Sequence, residues 1–404
     1  MKVSKIVINL YTLLFMVVVF CGSEKIGIFG YTAELMALMG VLLLIGSFCS
    51  KKEFGFAIDK YAIFLFLVIF LFIVLDYYLW SIYPEYTFVY IKRFLFYTPI
   101  MLVCISLDSI EKIIYVSKIY VIFIAIGFVL LYPGQGVNGS FLGSYQNVAG
   151  ALSVGLMLYA VDFLFKENYT KKDLVAFLFI IGTLLMTGKR TFTVIPIATM
   201  LLFSLYKTGN ITAKMKMQRL VRIVVPALIL GSIVLIVKPD IFLALSRLSD
   251  VSQDSNMNGR KNFWELALYL WNENKWTGIG MGTYQEFITR NMHFTFSEFK
   301  IQTAYAAHNI YYQLLAEVGL IGISIFVLFF IYNLITIINL IRNNIVKNNS
   351  KYIKNAYISL MIQLWFLLYG CTGNPLFMVH QFYLYLFAIM ISQSIKRVVR
   401  YGKE

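Results

Sequence analysis

Residues 303–322 read TAYAAHNIYYQLLAEVGLIG and lead directly into ISIFVLFFIYNLITIINL, residues 323–340. An apolar run of this length predicts a membrane-spanning helix, because about 20 apolar residues cross the hydrocarbon layer. The run nevertheless begins with His308 and carries Glu317. Ionisable groups in a bilayer are costly and often mark functional sites, so this stretch indicates both a fold class and a place to look for function.

The composition of the whole chain is that of a polytopic membrane protein. Of its 404 residues, 60% are hydrophobic and 14% are charged, against roughly 45–50% apolar and about 25% charged in a soluble domain. The formal net charge of +15 is typical of basic residues retained on cytoplasmic loops, and no nucleic-acid partner is predicted. The four cysteines are scattered without a C-x-x-C pair, so no disulfide framework or zinc site is expected.

Hydropathy predicts an all-α transmembrane helix bundle of about 12 spans, which forms a single integral membrane domain over residues 1–404. The first apolar run is predicted to be a span rather than a cleavable signal. The even count and the basic loops place both termini in the cytoplasm. The predicted spans lie near residues 5–22, 27–49, 61–80, 87–107, 113–132, 147–165, 173–187, 191–207, 222–238, 309–341, 356–371 and 377–394.

A long connection, residues 239–307, separates the ninth and tenth predicted spans on the extracytoplasmic side. Loops longer than about 12 to 15 residues are usually functional or disordered. This one holds three of the five tryptophans and two glycine clusters, which favours a folded loop. Within it, NFWELALYLW places Phe263, Leu266 and Leu270 at helical spacing, and this predicts either a helix along the outer interface or a folded lid.

Helical geometry separates the two ionisable residues of the opening stretch. Glu317 is nine residues after His308, half a turn out of phase and about 13 Å along a regular helix axis, so a catalytic pair is not predicted. His308 is the candidate general base, because imidazole titrates near neutral pH; an interfacial hydrogen-bonded histidine is the alternative. On a regular helix its face would include Tyr311 and Gly319. Glu317 would share a face with Gln313 and tie a neighbouring helix.

Four basic residues are candidates for binding an anionic ligand at the outer face. Arg190 lies in TGKRT and Arg260 in NGRKNFW. One guanidinium group can bind two phosphate oxygens at once. A snorkelling side chain is the alternative for either arginine. Lys92 and Arg93 fall inside the fourth predicted span, where charge must be compensated, and are predicted to be further phosphate contacts or helix anchors.

No metal site or cofactor is predicted. The three histidines are far apart in sequence, and Asp250 with Asp254 is a loose acidic pair. The stretch GIGMG, residues 278–282, lacks the strand, helix and spacing of a dinucleotide fingerprint. Its glycines therefore predict tight turns.

Four stretches together resemble the O-antigen polymerase and O-antigen ligase family. They occur in the family's order and cover roughly residues 139–322. Two positions depart from the family pattern: Lys189 stands where a small residue is usual, and no proline precedes the glycine cluster. The stretches are GSFLGSYQNVAGALSVGLML (139–158), TGKRTFTVI (187–195), NGRKNFWELALYLWNENKWTGIGMGTYQEF (258–287) and AHNIYYQLLAEVGLIG (307–322).

The resemblance implies a metal-independent glycosyltransferase of the bacterial cytoplasmic (inner) membrane, with an undecaprenyl-diphosphate-linked oligosaccharide as donor on the outer face. Arg190 and Arg260 would bind the diphosphate. His308 would take the proton from the acceptor hydroxyl, with Asn309 and Glu317 in secondary roles. The implied partners are this lipid-linked oligosaccharide and membrane lipids. A chain-length regulator and a flippase would be further protein partners.

Three functions fit these features. The leading hypothesis is a polysaccharide polymerase, for O-antigen or capsule, that joins one lipid-linked glycan to the terminal sugar of another. The second is an O-antigen ligase that transfers the glycan to lipid A core. The third, of another class, is a lipid-linked sugar transporter or flippase; Glu34 and Asp76 inside predicted spans would support it, unless they pair structurally with Lys92 or Arg93.

Overall fold

The computed structural model describes residues 2–21, 32–50, 53–131, 145–165, 170–205 and 255–401, with six single positions between residues 218 and 236. The described residues form fifteen helices. In chain order they are α1 Lys2–Cys21, α2 Thr32–Cys49, α3 Lys60–Leu79, α4 Pro84–Leu102, α5 Leu107–Leu131, α6 Tyr145–Phe165, α7 Lys171–Met186, α8 Arg190–Leu205, α9 Ser255–Glu273, α10 Tyr284–Arg290, α11 Met292–Phe299, α12 Ile310–Arg342, α13 Asn344–Asn348, α14 Ser350–Gly370 and α15 Val379–Tyr401.

Eleven of the twelve predicted spans coincide with a described helix, namely α1 to α8, α12, α14 and α15. Most of the predicted span at 222–238 lies outside the described residues, as do residues 239–254 of the predicted loop. Five described helices, α1, α3, α5, α12 and α15, are long and apolar enough to cross a membrane. The predicted class, a mainly helical membrane protein, is confirmed; the count of twelve spans stays a prediction.

One pair of short strands departs from the all-helical prediction. The fourth predicted span, 87–107, was expected to be helical to its end. The chain instead leaves α4 and continues as strand β2, Val103–Ile105, which pairs antiparallel with β1, Phe54–Phe56. Pro99 removes an amide donor near the end of α4, and the β-branched residues of VCI favour extended backbone.

The centre of the bundle is built from α12, α14 and α15. The ring of Tyr385 in α15 lies 5.5 Å from the ring of Phe330 in α12 and 4.5 Å from that of Phe366 in α14, measured between centroids. Helix α15 is buried along nearly all of its length up to Ile395. Aromatic packing of this kind fixes α12, the helix that follows His308, against the core of the protein.

Residues 255–307 build a second, smaller hydrophobic core. Phe263, Leu266 and Leu270 of α9 are buried there with Tyr284 of α10. The helix predicted from NFWELALYLW is therefore confirmed. Its apolar face packs inside the protein rather than along a membrane surface, because α10 and the start of α12 provide the partners.

A buried ion cluster joins three helices of the bundle. Asp162 of α6 binds the ammonium groups of Lys118 in α5 and Lys354 in α14, the latter at 2.8 Å. The Asp162 side chain is only 5% exposed. A carboxylate buried to this degree is stable only with opposite charges close by, so this residue holds α5, α6 and α14 together.

Asp162→Ala is expected to lower the free energy of unfolding by about 3 to 5 kcal/mol, because two ammonium groups lose the carboxylate that offsets their burial. Thermal unfolding of the purified protein in detergent measures this. The matched control is Asp108→Ala. The Asp108 side chain pairs with Lys351 but is 77% exposed, so its removal should cost below about 1 kcal/mol. Equal losses from both variants would contradict the role assigned to Asp162.

Candidate functional site

Helix α12 is broken at Gly319, where φ is 60° and ψ is −166°. A break of this kind removes hydrogen bonds between successive turns, and the freed groups need partners where water is absent. Residues 275–282, which we call the clip, supply those partners. Four bonds join it to both sides of the break: Ile279 N–H to Ala316 O (3.0 Å), Gly280 N–H to Glu317 O (2.8 Å), Leu320 N–H to Lys275 O (2.9 Å) and Ile321 N–H to Trp276 O (3.1 Å).

Two glycines allow the clip and α12 to approach this closely. A Cβ atom on Gly278 would lie 2.4 Å from the carbonyl of Glu317, and one on Gly319 would lie 2.4 Å from the carbonyl carbon of Trp276. Both glycines also have positive φ, which side-chain-bearing residues rarely adopt. The tight turns predicted from GIGMG are present, and they pack against the glycine of the opening stretch.

The carboxylate of Glu317 binds the clip from inside α12. Its Oε2 accepts from the Gly282 N–H at 2.7 Å, and its Oε1 accepts from the Tyr284 N–H at 3.1 Å and from the Gln313 side-chain amide at 2.9 Å. The side chain is fully buried. The sequence predicted a tie to a neighbouring helix, whereas the partners are the end of the clip and the first residue of α10.

A second buried carboxylate holds the clip from the other side. Asp76 of α3 accepts from the Met281 N–H at 2.7 Å, and the Thr87 hydroxyl donates to the Met281 carbonyl at 3.0 Å. The alternative considered for Asp76, a structural pairing with Lys92 or Arg93, is not the contact that the structure shows. A backbone amide takes that place, because the clip runs between α3 and α12.

The clip and its neighbours bring α9 against the start of α12. The Trp264 indole N–H donates to the Ala307 carbonyl at 2.9 Å, and the indole stacks on the Tyr312 ring at 5.4 Å between centroids. The Tyr284 hydroxyl donates to the Phe263 carbonyl. Residues of α9 therefore have fixed positions relative to His308.

His308 has left-handed backbone geometry, with φ at 54°. This conformation is uncommon for a residue with a side chain, costs on the order of 1–3 kcal/mol, and tends to occur at functional sites. The residues on either side hold it in place. Ala307 donates its N–H to the Gln313 side chain at 3.2 Å, and Asn309 caps α12.

Asn309 determines where α12 begins. Its side-chain oxygen accepts from the N–H groups of Tyr311 and Tyr312, and its amide donates to the Cys371 carbonyl at 3.1 Å. Because capping residues lie outside the helix, the first helical residue is Ile310. The helical face predicted for His308, with Tyr311 and Gly319, is therefore wrong. Because His308 precedes the helix, the direction of its side chain is not set by helical periodicity.

Aromatic rings and positive charges surround the His308 imidazole. The ring of Phe263 lies edge-on at 6.5 Å and that of Tyr305 at 6.4 Å, between centroids. Burial lowers the pKa of His308 below its ordinary value, and the charges of Arg260 and Lys189 lower this pKa further. The imidazole is consequently neutral at neutral pH, as a proton acceptor must be.

The structure brings one of the predicted arginines to this histidine. Arg260 of α9 acts on it electrostatically together with Lys189, which lies in the turn between α7 and α8. Arg190 follows as the first residue of α8, but its side chain lies outside the described residues. Its predicted contact with a diphosphate stays a prediction.

The two cations of α4 contact other groups. Lys92 is exposed, with its ammonium 5.3 Å from the centre of the Phe88 ring. Arg93 donates to the Phe377 carbonyl at 3.1 Å, in the turn between α14 and α15 that also receives Asn309. The charges that lower the pKa of His308 are those of Arg260 and Lys189. A phosphate role for Lys92 and Arg93 remains a prediction.

Three residues near His308 were not selected from the sequence as site residues. Lys189 was noted only as a departure from the family pattern. Phe263 was interpreted as part of an apolar face, and Tyr305 was not considered. The spacing of Arg260 and Phe263, one helical turn apart on a predicted helix, was the signal that could have shown a charge and a ring facing the same site.

Comparison with known protein families supports the resemblance drawn from the motifs. Residues 175–327 match the family described as O-antigen ligase. The matched segment contains Lys189, α9, the clip, His308 and the break in α12. The match covers less than half of the chain, and it agrees with the family suggested by the motifs. A search of curated proteins found no match.

Gly319→Ala is expected to displace the clip, since its Cβ would overlap the Trp276 backbone and its φ would be strained. Limited trypsin digestion at the exposed Lys275 should become about tenfold faster, corresponding to roughly 1.4 kcal/mol of lost local stability. Gly259→Ala in α9 is the control, because a Cβ there meets nothing within 4 Å. Unchanged cleavage of Gly319→Ala would show that the clip does not depend on this contact.

Proposed function

We propose that this protein is a polysaccharide polymerase of the bacterial inner membrane. It transfers an undecaprenyl-diphosphate-linked glycan to the terminal sugar of another lipid-linked repeat unit. The observation that carries the proposal is the half-buried His308, whose ring lies 6.5 Å from that of Phe263 in α9, inside the segment that matches the ligase family. Burial and the charges of Arg260 and Lys189 lower its pKa. The large loop and the basic distribution of the chain support an active site on the outer face, with both termini in the cytoplasm.

The proposed reaction follows from these groups. The acceptor hydroxyl gives its proton to His308, and its oxygen forms a bond to the anomeric carbon of the donor. The bond from that carbon to the diphosphate oxygen breaks, and undecaprenyl diphosphate leaves with the electron pair. Arg260 binds the diphosphate and stabilises the charge that develops on it, with Arg190 as its proposed partner. The proposal requires no metal ion.

A ligase is the second candidate, and the description of the matching family favours it. It would use the same donor, base and cations, and would differ only in its acceptor, lipid A core instead of a repeat unit. The two functions therefore share one catalytic site, and the acceptor decides between them.

The transporter alternative has lost its main structural support. Asp76 binds the amide of Met281, and Glu34 is exposed on α2. A transport site is expected near the middle of the membrane between repeated halves. Arg260 and His308 instead lie where residues 255–307 pack on the start of α12.

His308→Ala is expected to reduce polymer formation at least about 100-fold, because the general base is lost. Arg260→Ala should cost on the order of 100- to 1,000-fold, since charge on the leaving group is no longer offset. Arg260→Lys should recover part of this, because charge is kept but paired hydrogen bonding is lost. Each variant is expressed in a deletion strain, and long-chain polymer is measured by gel electrophoresis.

Lys261→Ala is the matched control for the arginine variants. Lys261 is the next residue of α9, its side chain is 71% exposed, and it pairs with Glu265 at 3.7 Å, so polymer should be normal. Normal long-chain product from His308→Ala at equal protein level would overturn the proposed function. In the deletion strain itself, accumulation of single lipid-linked repeats indicates a polymerase, and accumulation of lipid-linked polymer indicates a ligase.

The pH dependence of activity should report the charges around His308. Activity is lost as pH falls through the pKa of the imidazole, because the protonated ring cannot accept a proton. Lys189→Met removes a positive charge that lowers this pKa, so the pKa rises and the acid limb moves to higher pH. The measurement is the rate of transfer between lipid-linked repeats in proteoliposomes over the acidic range.

Lys189 and Lys261 are both exposed, but the charge that lowers the pKa of His308 is that of Lys189, so Lys261→Met should leave the acid limb unchanged. A matching shift in both variants would mean that net charge, rather than proximity to His308, sets the pH profile. A Lys189→Met profile identical to that of the unaltered protein would contradict the proposed arrangement of charge around the base.

A further inference from the structure

We propose that Tyr305 and Phe263 form an aromatic subsite that binds the acceptor sugar beside His308. The inference rests on the proposed glycosyl transfer and adds the group that recognises the second substrate. It holds for a repeat unit and for a lipid A core acceptor alike, since both present a sugar hydroxyl. The ligand class is a pyranoside without charge at the bound ring.

The first observation is that Tyr305 is exposed beside the imidazole of His308. Its side chain is 55% exposed, although its ring lies 6.5 Å from that of Phe263 and 6.4 Å from the imidazole of His308. Phe263, by contrast, is 7% exposed and belongs to the small core. The Tyr305 ring is therefore accessible to a ligand next to the imidazole of His308, and the buried Phe263 ring packs against it.

The second observation is that hydrogen bonds hold the backbone on which this open ring stands. The Gln285 side chain donates to the Ala304 carbonyl at 3.0 Å, and the Tyr305 N–H bonds to the Thr303 carbonyl at 3.1 Å. Two residues later, Ala307 is bound through both its N–H and its carbonyl. An exposed aromatic side chain on a segment fixed at both ends is preorganised for a ligand.

The third observation is that the site has a positively charged end and an aromatic end. Arg260 and Phe263 are three residues apart in α9, which places them on successive turns of one face, about 5 Å apart along the axis. The arginine provides positive charge, and the phenylalanine leads to the open ring of Tyr305. The donor diphosphate belongs at the charged end, so the uncharged acceptor belongs at the aromatic end.

The chemistry of the ring fits a sugar. The face of an aromatic ring carries partial negative charge and attracts the polarised C–H groups on one side of a pyranose, while hydroxyls point outward. Gln302 and Thr303, both exposed, lie just before Tyr305 and can bond such hydroxyls. A hydroxyl of the bound sugar then lies next to His308, where its proton must go.

The test varies one substrate at a time. Purified protein in proteoliposomes receives lipid-linked donor at saturation and increasing single repeat units, released from their lipid by mild acid, as acceptor. Tyr305→Ala should raise the KM for this acceptor about tenfold with little change in kcat or in the KM for donor. Tyr305→Phe keeps the ring and should recover most of the acceptor affinity that is lost in Tyr305→Ala.

Phe296→Ala is the matched control, because Phe296 is 52% exposed on α11 of the same segment. Its acceptor KM should not change. If Tyr305 only anchors the loop at the membrane surface, both alanine variants will lower protein yield or activity without a selective change in acceptor KM, and the inference is overturned. An unchanged acceptor KM in Tyr305→Ala also overturns it.

A separate variant keeps this outcome distinct from failure of the proposed function. His308→Ala is assayed in the same vesicles and should lose kcat whether or not Tyr305 binds the acceptor. If His308→Ala loses kcat while Tyr305→Ala has a normal acceptor KM, the aromatic subsite is rejected and the proposed transferase function stands. Full activity in His308→Ala removes the proposed function itself.

Discussion

The break in α12 leaves backbone groups that its own helix cannot satisfy, and the rest of the site depends on how they are paired. In an apolar bundle each such group costs free energy unless a partner lies close. The clip provides four partners, and it reaches them only because Gly278 and Gly319 have no side chains. Since the clip follows α9 directly, the same bonds that repair the helix also position Arg260 and Phe263 opposite His308.

The two buried acids take part in this repair rather than in the chemistry. A carboxylate has up to four acceptor positions and no donor, so Asp76 and Glu317 suit a turn whose amides all need acceptors. Oxygens of these two residues receive the N–H groups of Met281, Gly282 and Tyr284. The rule that buried ionisable groups are functional therefore identified residues that support the site, while the proposed general base, His308, is only half-buried.

Much of the fold could be predicted from the sequence, because apolar runs and helical spacing are local properties. The positions of eleven helices and of the helix containing Phe263 were predicted in this way. The predicted span began at residue 309, one residue before α12, since the cap formed by Asn309 competes with an apolar pattern that continues through it. The contacts of Glu317 could not be predicted, because they depend on a loop 35 residues earlier in the chain.

The position of His308 just outside α12 has a physical consequence for the site. A residue on the first helical turn would point its side chain along that helix, whereas left-handed backbone before the cap turns the imidazole toward α9. Its neighbours then come from three separate segments: Lys189 before α8, Arg260 and Phe263 in α9, and Tyr305 before α12. The lowered pKa of the base therefore requires the tertiary fold, and arises only when residues 255–307 are packed on the broken helix.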